Sequence, residues 1–464
     1  MVVEFLRASA RIKQFYPSQT ITNFMHIIWL SRPDLQAVFD ISNADGQAAF
    51  LRWVGENVKR EYGIAPTLDF SNKNHKGLLN RLASLFFGKD GVRNKEAQPG
   101  ATLIGYTEGV LGMGEHVRMS AETLARTTTN FGTLNIDVGP HQQCADIAAH
   151  FPMITDNRYR ANIFHVNADQ MLNMFCKLGP NFFHDRYNIG FWAWELAKFP
   201  DAWLPVIEMV DEIWAPSRFI QDALSAVTDK PVVHMPLCVE LPTIQARSRR
   251  HFGLPDEHCL FLYTFDFLSY IDRKNPFAAI RAFKEAFPDR NAPAGLVLKV
   301  MRGDSDAPKW HEMLELIGGD SRIVIINEVM SRNDVLALLE CCDCFVSLHR
   351  SEGFGRGPAE AMYLGKPVIV TNYSGNLDFT RPDASLLVEQ TLIPVEPGQY
   401  VFGAGQVWAD VDVSHAARHM RKVFEKSPDV AEIARNGERV IKEEFSYPAI
   451  AQHMNNRLRA VGAI

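Results

Sequence analysis

From about Thr102 onward, short apolar runs alternate with stretches in which apolar residues recur every three or four positions. The runs TLIGY (102–106), GTLNI (132–136), NIFHV (162–166), YNIGFWA (187–193), EIWA (212–215) and PVVHM (231–235) predict strands, with helical patterns between them at 115–126 and 217–227. A polar stretch with Pro and Arg at 241–258 reads as a linker. A second series then predicts strands at 259–265, 295–301, 322–327, 344–348 and 366–371, separated by helices at 276–287, 332–341 and 358–364. Strands alternating with helices build parallel sheets with crossover connections. Two such halves in succession predict an α/β chain of two doubly wound Rossmann-like domains, with ligands in the cleft at the carboxyl ends of the strands.

Residues 1–100 stand outside this alternation. Their helical patterns (32–40, 46–62 and 77–87) and lack of a strand series predict a helical accessory segment. The expected division is therefore 1–100 accessory, 101–243 first domain, 244–440 second domain, and a C-terminal helix at 441–464 returning to the first domain. A length of 464 residues suits two or three domains.

A net charge of −6 lacks the basic excess of a nucleic-acid binder. The apolar run 24–30 falls far short of the roughly 18 residues of a membrane span. Glu4, Arg7, Arg11 and Lys13 interrupt the region where a secretion signal is apolar, so none is expected. Seven cysteines, at 144, 176, 238, 259, 341, 342 and 344, show no zinc-ribbon spacing. Cys341, Cys342 and Cys344 sit at a helix–strand junction, where buried thiols are a better reading than a metal site. Free thiols without a signal predict a cytoplasmic protein.

The candidate chemistry concentrates in residues 351–371, SEGFGRGPAEAMYLGKPVIVT. The segment leaves a predicted strand and enters a helix, with Pro358 as the expected first helical residue. Gly353, Gly355 and Gly357 permit close backbone approach, and free N–H groups at the helix start suit a diphosphate. Glu360 is expected in the first turn, as a cap or a partner of ribose hydroxyls. Glu352, on the loop, is placed to orient a sugar hydroxyl.

These residues resemble the E-x7-E motif of retaining glycosyltransferases of the GT-B fold, glycosyltransferase family 4, with Glu352 and Glu360 followed by Ala361-Met362 and Gly365-Lys366-Pro367-Val368. The resemblance covers roughly 100–450 and is sharpest over 259–380. It implies sugar transfer from a nucleoside diphosphate donor with retention of configuration and without a bound metal or other cofactor. It implies that Glu352 contacts the donor sugar and Glu360 the ribose. It further implies that Lys274, which opens the helix KNPFAAIRAF, neutralises the departing diphosphate.

The family arginine six residues before that lysine is replaced by Leu268. Arg273 and Arg356 are the candidates to supply the missing charge, with Arg356 favoured because its loop faces the phosphates in the family. Gly353, Phe354, Gly355 and Arg356 are thus donor-binding candidates, joined by Asn376 in the turn 374–378 and by Gly112 and Gly114 in the glycine loop after the first strand. Glu115 follows that loop and is expected on the acceptor side. His165, at a strand end, matches a family histidine that contacts the donor sugar, with a satisfied core histidine as the plain alternative. Asp169, Trp194 and Glu195 are further acceptor-side candidates, and packing at the sheet top competes for Trp194 and Glu195. The D-x-D patterns Asp304/Asp306 and Asp410/Asp412 lie outside the context in which another glycosyltransferase fold binds metal, so no metal ligand is assigned.

Residues 71–95 carry six basic residues against one acid, Asp90, with Leu78, Leu79, Leu82, Leu85, Phe86 and Phe87 on one helical face. This pattern suits peripheral contact with an anionic membrane, or packing on the core with a solvated basic rim. The expected partners are a nucleotide sugar and a glycan or lipid-linked acceptor, in cell-surface polysaccharide or glycolipid synthesis. The alternatives are a GT-B nucleotide-sugar epimerase, which needs no acceptor, and a non-catalytic sugar-nucleotide-binding scaffold.

Overall fold

The computed structural model describes residues 32–41, 43–62, 97–109, 112–136 and 150–464, with isolated positions before residue 32. The predicted helix 77–87, the basic stretch 71–95 and Cys144 lie outside the described residues.

Two six-stranded parallel sheets form the molecule. The first has the order β2-β1-β3-β4-β5-β6, built from β1 (Gln98–Gly105), β2 (Phe131–Asn135), β3 (Tyr159–His165), β4 (Tyr187–Phe191), β5 (Glu212–Ala215) and β6 (Val232–His234). The second has the order β12-β11-β10-β7-β8-β9. Its strands are β7 (Cys259–Asp266), β8 (Ala294–Met301), β9 (Ile323–Asn327), β10 (Cys344–Ser347), β11 (Val368–Thr371) and β12 (Leu386–Val388). The central strands are apolar on both faces because helices cover both. Leu103, Ile104, Ile163, Phe164, Leu262, Leu298 and Val346 are fully buried. Each such side chain contributes about 1.5–3 kcal/mol over its exposed state. Strand order reverses between β1 and β3 in one sheet and between β7 and β10 in the other. Those two switch points face the cleft.

In the first domain α1 (Pro33–Val38) and α2 (Ala44–Tyr62) pack through Leu35, Phe50, Val54 and Val58 into a core shared with Phe164 and Met171. The crossover helices there include α3 (Gly112–Ala125), α4 (Met171–Leu178) and α5 (Arg218–Ser225). In the second domain they are α6 (Pro276–Ala286), α7 (Pro308–Ile317), α8 (Arg332–Cys341) and α9 (Arg356–Tyr363).

Helix α7 was not among the expected elements, although Trp310, Met313 and Ile317 form a helical stripe, all buried. Strand β12 and an antiparallel hairpin were also missed. The hairpin pairs β13 (Gln390–Pro394) with β14 (Val407–Val411). It reaches out of the second domain and buries Val395 and Tyr400 of its loop and Trp408 of β14 in the core of the first domain.

Three helices close the chain: α10 (Val413–Phe424), α11 (Pro428–Glu444) and α12 (Tyr447–Ala460). The last crosses back to the first domain, where Ile450, Met454 and Leu458 pack with Leu103, Val117 and Leu124. No helix among the described residues is long and apolar enough to cross a membrane.

Candidate active-site cleft

The switch point of the second sheet brings three charged groups together. After β7 the chain makes a single helical turn, Ile271–Lys274, then reverses at Asn275 (φ 52°) into α6. An asparagine suits this left-handed position. Its side-chain oxygen accepts from the Ala278 N–H at 3.3 Å, and its amide donates to the Leu348 carbonyl at 3.1 Å. The reversal aims Arg273 and Lys274 at the loop after β10. There the Lys274 ammonium donates to Glu352 Oε1, and Arg273 Nη1 lies 3.2 Å from Glu352 Oε2 and donates to the Ser351 carbonyl at 2.9 Å.

Burial raises the Glu352 carboxyl, but the charges of Lys274 and Arg273 outweigh it and hold the group at about 2. Burial lowers the Lys274 ammonium, with Glu352 opposing. Arg273 is buried, yet Glu352 and Glu195 hold its guanidinium firmly charged.

The second glutamate stands apart from the first. Helix α9 begins at Arg356, with Gly355 (φ 95°) at its N-cap, so Pro358 is its third residue and Glu360 lies beyond the first turn. Glu360 therefore does not cap the helix, contrary to one expected role. Arg332, the first residue of α8, donates to both of its oxygens at 3.0 and 2.7 Å. Arg356 donates to Glu360 Oε1 through Nε at 3.0 Å and Nη2 at 2.8 Å. Arg356 Nη2 also reaches Glu115 Oε1 of the first domain at 3.1 Å, and Arg118 holds the other Glu115 oxygen at 2.9 Å. Burial raises the Glu115 carboxyl, but Arg356, Arg332 and Arg118 bring it down to about 2. A chain of alternating charges thus spans the cleft.

A cavity of about 260 Å³ lies between the domains. Of the residues expected at the site, Gly112, Glu195, Arg273, Lys274, Glu352, Gly353, Phe354, Gly355 and Arg356 line it. Both candidates for the missing arginine are therefore present, on different carboxylates. Leu268, where the family arginine stands, is exposed.

Other expected residues lie elsewhere. Gly114 supports the chain at the start of α3, where a Cβ would come within 2.2 Å of the Gly109 carbonyl. Glu115 and Arg332 line an adjoining cavity of about 350 Å³. Asn376 is fully buried and commits its amide to the Thr371 carbonyl and Thr380 Oγ1, and its oxygen to His349. It is thus a strut behind the glycine loop and does not line the cavity. Trp194 is likewise core. Its indole N–H donates to the Lys198 carbonyl at 2.9 Å, and its ring packs against Phe199, Trp203 and Tyr400. Asp169 accepts from the Gln170 amide at 2.8 Å, and burial raises its carboxyl.

His165 is fully buried behind His116, which lines the cavity; the two rings meet edge to face at 4.8 Å. Burial holds His165 well below its ordinary value, and burial with the Arg356 charge brings His116 to about 3, so both are neutral. Neither ring of the pair has a hydrogen-bond partner among the described residues.

Three positions around the cleft escaped the sequence reading. Arg332 opens the helix after β9 much as Lys274 precedes the helix after β7, and that parallel was a usable signal. His116 directly follows Glu115. Tyr400, whose hydroxyl donates to Glu195 Oε2 at 2.6 Å, sits in the unforeseen hairpin. Among the described residues, no group of three or more His, Cys, Asp or Glu is arranged to hold a metal. Cys342 and Cys344 are buried in the core of the second domain, Asp304 accepts from the Asp306 N–H in a turn, and Asp410 pairs with Arg350.

This architecture is the GT-B fold. The structure of HepE from Anabaena in complex with UDP and glucose superposes with a TM-score of 0.59 at 13% identity, over 78% of this chain and 100% of that one. Sucrose-phosphate synthase from Thermosynechococcus elongatus gives 0.56 at 16% identity, over 78% and 99%. The lipopolysaccharide outer core galactosyltransferase WaaB, in its apo form, gives 0.55 at 13% identity, over 78% and 99%. Residues 267–396, which carry Lys274, Glu352 and Glu360, match the family described as glycosyl transferases group 1. Alpha-1,3/1,6-mannosyltransferase ALG2 of Dictyostelium discoideum is 25% identical over 138 residues, 30% of this chain; the match spans 28% of that relative's length.

Proposed function

We propose that the protein is a retaining glycosyltransferase. It moves a hexose-type sugar from a nucleoside diphosphate to a hydroxyl of a glycan or lipid-linked acceptor. The observation that carries this reading is the convergence of Lys274 and Arg273 on Glu352 at the donor-side switch point, facing Arg356 and the glycine loop. The glycosyl transferases group 1 match over the same residues supports it.

Glu352 balances two cations, Lys274 and Arg273. A bound diphosphate takes over part of that balance and leaves the carboxylate to accept hydroxyls of the sugar. The bond between the anomeric carbon and the diphosphate oxygen then breaks, and its electron pair leaves with the diphosphate. Lys274, Arg273 and Arg356 stabilise the growing negative charge. The acceptor oxygen attacks the same face, and its proton passes to the departing diphosphate. Glu360 holds the ribose hydroxyls in exchange for one of its arginines. His116, neutral and buried beside the cavity, adds no charge to the donor site. Three protein cations supply the electrostatics that a divalent ion provides elsewhere, so EDTA leaves turnover unchanged.

The setting we propose is cytoplasmic, in cell-surface polysaccharide or glycolipid synthesis, with peripheral docking through 71–95. Co-sedimentation with anionic liposomes at low salt tests the docking, and no binding removes it.

The activity is tested by screening the full chain against nucleotide sugars by thermal shift, then measuring nucleoside diphosphate release with candidate acceptors. A binding donor raises the melting temperature by mass action. Proton NMR of the product decides the stereochemistry. An inverted anomeric centre would refute the retaining mechanism, and turnover without acceptor to an epimerised donor would favour an epimerase.

A further inference from the structure

The hairpin loop that crosses from the donor domain ends its reach at Glu195. Tyr400 packs its ring against Trp194 (5.8 Å), Tyr270 (4.6 Å) and Trp408 (6.4 Å), contacts that a phenylalanine would make equally well. Its hydroxyl is spent on Glu195 Oε2. The other Glu195 oxygen lies 4.0 Å from Arg273 Nη2, beyond hydrogen-bond reach, whereas Arg273 Nη1 is 3.2 Å from Glu352. Arg273, itself buried, therefore has two partly buried carboxylates to choose between, and one of them is tethered away.

We infer that Tyr400 is a positioning residue for Glu352, acting by restraining Glu195 from capturing Arg273. This inference rests on the catalytic reading of Glu352 proposed above. Without the hydroxyl, Glu195 swings onto the guanidinium. Arg273 then divides between two carboxylates, and Glu352 keeps Lys274 as its sole close cation. The remaining titratable groups that face Glu352, His349 and Tyr263, do not replace it. Both are buried, burial bringing His349 down to about 4 and raising Tyr263, so both are neutral. Asp169 and Tyr270 face Glu195 and Arg273 from the first domain and from the loop after β7, and neither is a cation. The hairpin thus sets the charge state of the donor site from the acceptor side.

The test is a double-mutant cycle on the full chain with the donor found by the screen. Tyr400→Phe lowers kcat about tenfold, leaves the donor KM within about twofold, and moves the acid limb of kcat up by about one pH unit. In a Glu195→Gln background the same substitution has no further effect, because no second carboxylate remains to compete. Gln406→Ala loosens the hairpin at its other anchor, the Lys198 backbone, and leaves the acid limb where it was.

Tyr400→Phe with wild-type kcat and acid limb overturns the inference. So does an equal loss in the Glu195→Gln background, which would mark a purely structural tyrosine. A carbon-13 NMR titration of the Glu352 carboxyl, assigned with Glu352→Gln, needs no substrate. It moves upward in Tyr400→Phe if the inference holds and stays put if it does not. A wild-type protein inert with every nucleotide sugar would refute the enzymatic reading alone, and the titration would still decide the tether.

Discussion

Glu352 keeps its charge against burial because Lys274 and Arg273 flank it. Its folded carboxyl, at about 2, lies below the ordinary 4.5. A lowered carboxyl contributes stability above its unfolded value and loses that contribution as pH falls through the folded one. Glu352→Gln leaves Lys274 and Arg273 without their counter-charge, so at pH 7 the variant melts below wild type. The difference narrows as pH falls from about 4.5 towards about 2, where wild-type Glu352 becomes protonated as well. Melting curves across that window check this, and a gap that does not change with pH would assign the destabilisation to packing. On the catalytic reading the same variant loses about 100-fold or more in kcat while still binding donor.

Lys274 and Glu352 were legible in the sequence because each sits at a strand-to-helix junction, where the chain must present its ends to the cleft; Glu360, more than a turn into α9, was legible through its spacing from Glu352. Their partners were less legible. Arg332 lies 28 residues from Glu360, and only folding brings them together. Trp194 and Asn376 stood in the right segments, but an indole N–H and a primary amide are satisfied inside the protein as readily as by a ligand.

At the scale of elements, the glycine loop after β10 works by close approach. A Cβ on Gly375 would lie 2.0 Å from the Gly353 carbonyl oxygen, and one on Gly353 would lie 2.9 Å from the Trp194 carbonyl of the other domain. Ser217 Oγ donates to that same Gly353 carbonyl at 2.6 Å. The turn 374–378 and the loop 352–357 therefore interlock backbone to backbone, and the first domain presses on them from across the cleft. Gly375→Ala costs about 1–3 kcal/mol in chemical denaturation, because backbone has to move. Gly112→Ala, where a Cβ meets nothing within 4 Å, leaves stability unchanged and serves as the control.

The strands were legible because parallel strands buried on both faces read as continuous apolar runs. The β13–β14 hairpin did not announce itself in that way. Leu392 and Val407 are exposed, and the side chains that anchor the hairpin, Tyr400 and Trp408, find their partners in a domain that lies about 200 residues earlier in the chain.

At the scale of the molecule, the cleft is held at several places. Arg356 meets Glu115, His234 Nε2 lies 2.7 Å from Asp378, and Gln406 brackets the Lys198 backbone. The C-terminal helix α12 ties the end of the second half of the chain to the first domain. On it, Arg457 forks onto Glu212, a fully buried carboxylate in β5 that also accepts from the Trp214 indole at 2.6 Å and the Tyr187 hydroxyl at 3.1 Å. Two neutral donors do not offset a buried charge, so the arginine is what makes that carboxylate tolerable.

Arg457→Ala therefore destabilises the protein by about 2–4 kcal/mol, and the loss falls on the first domain, whose sheet holds Glu212. Urea denaturation resolves this. The wild type unfolds with the two domains coupled through α12, whereas the variant unfolds the first domain ahead of the second and gives two transitions. Glu212→Gln in the same background recovers part of the loss, because an amide needs no counter-charge. If the double variant were no more stable than Arg457→Ala, the helix would be held by Ile450, Met454 and Leu458 alone, and the ion pair would have no part in joining the domains.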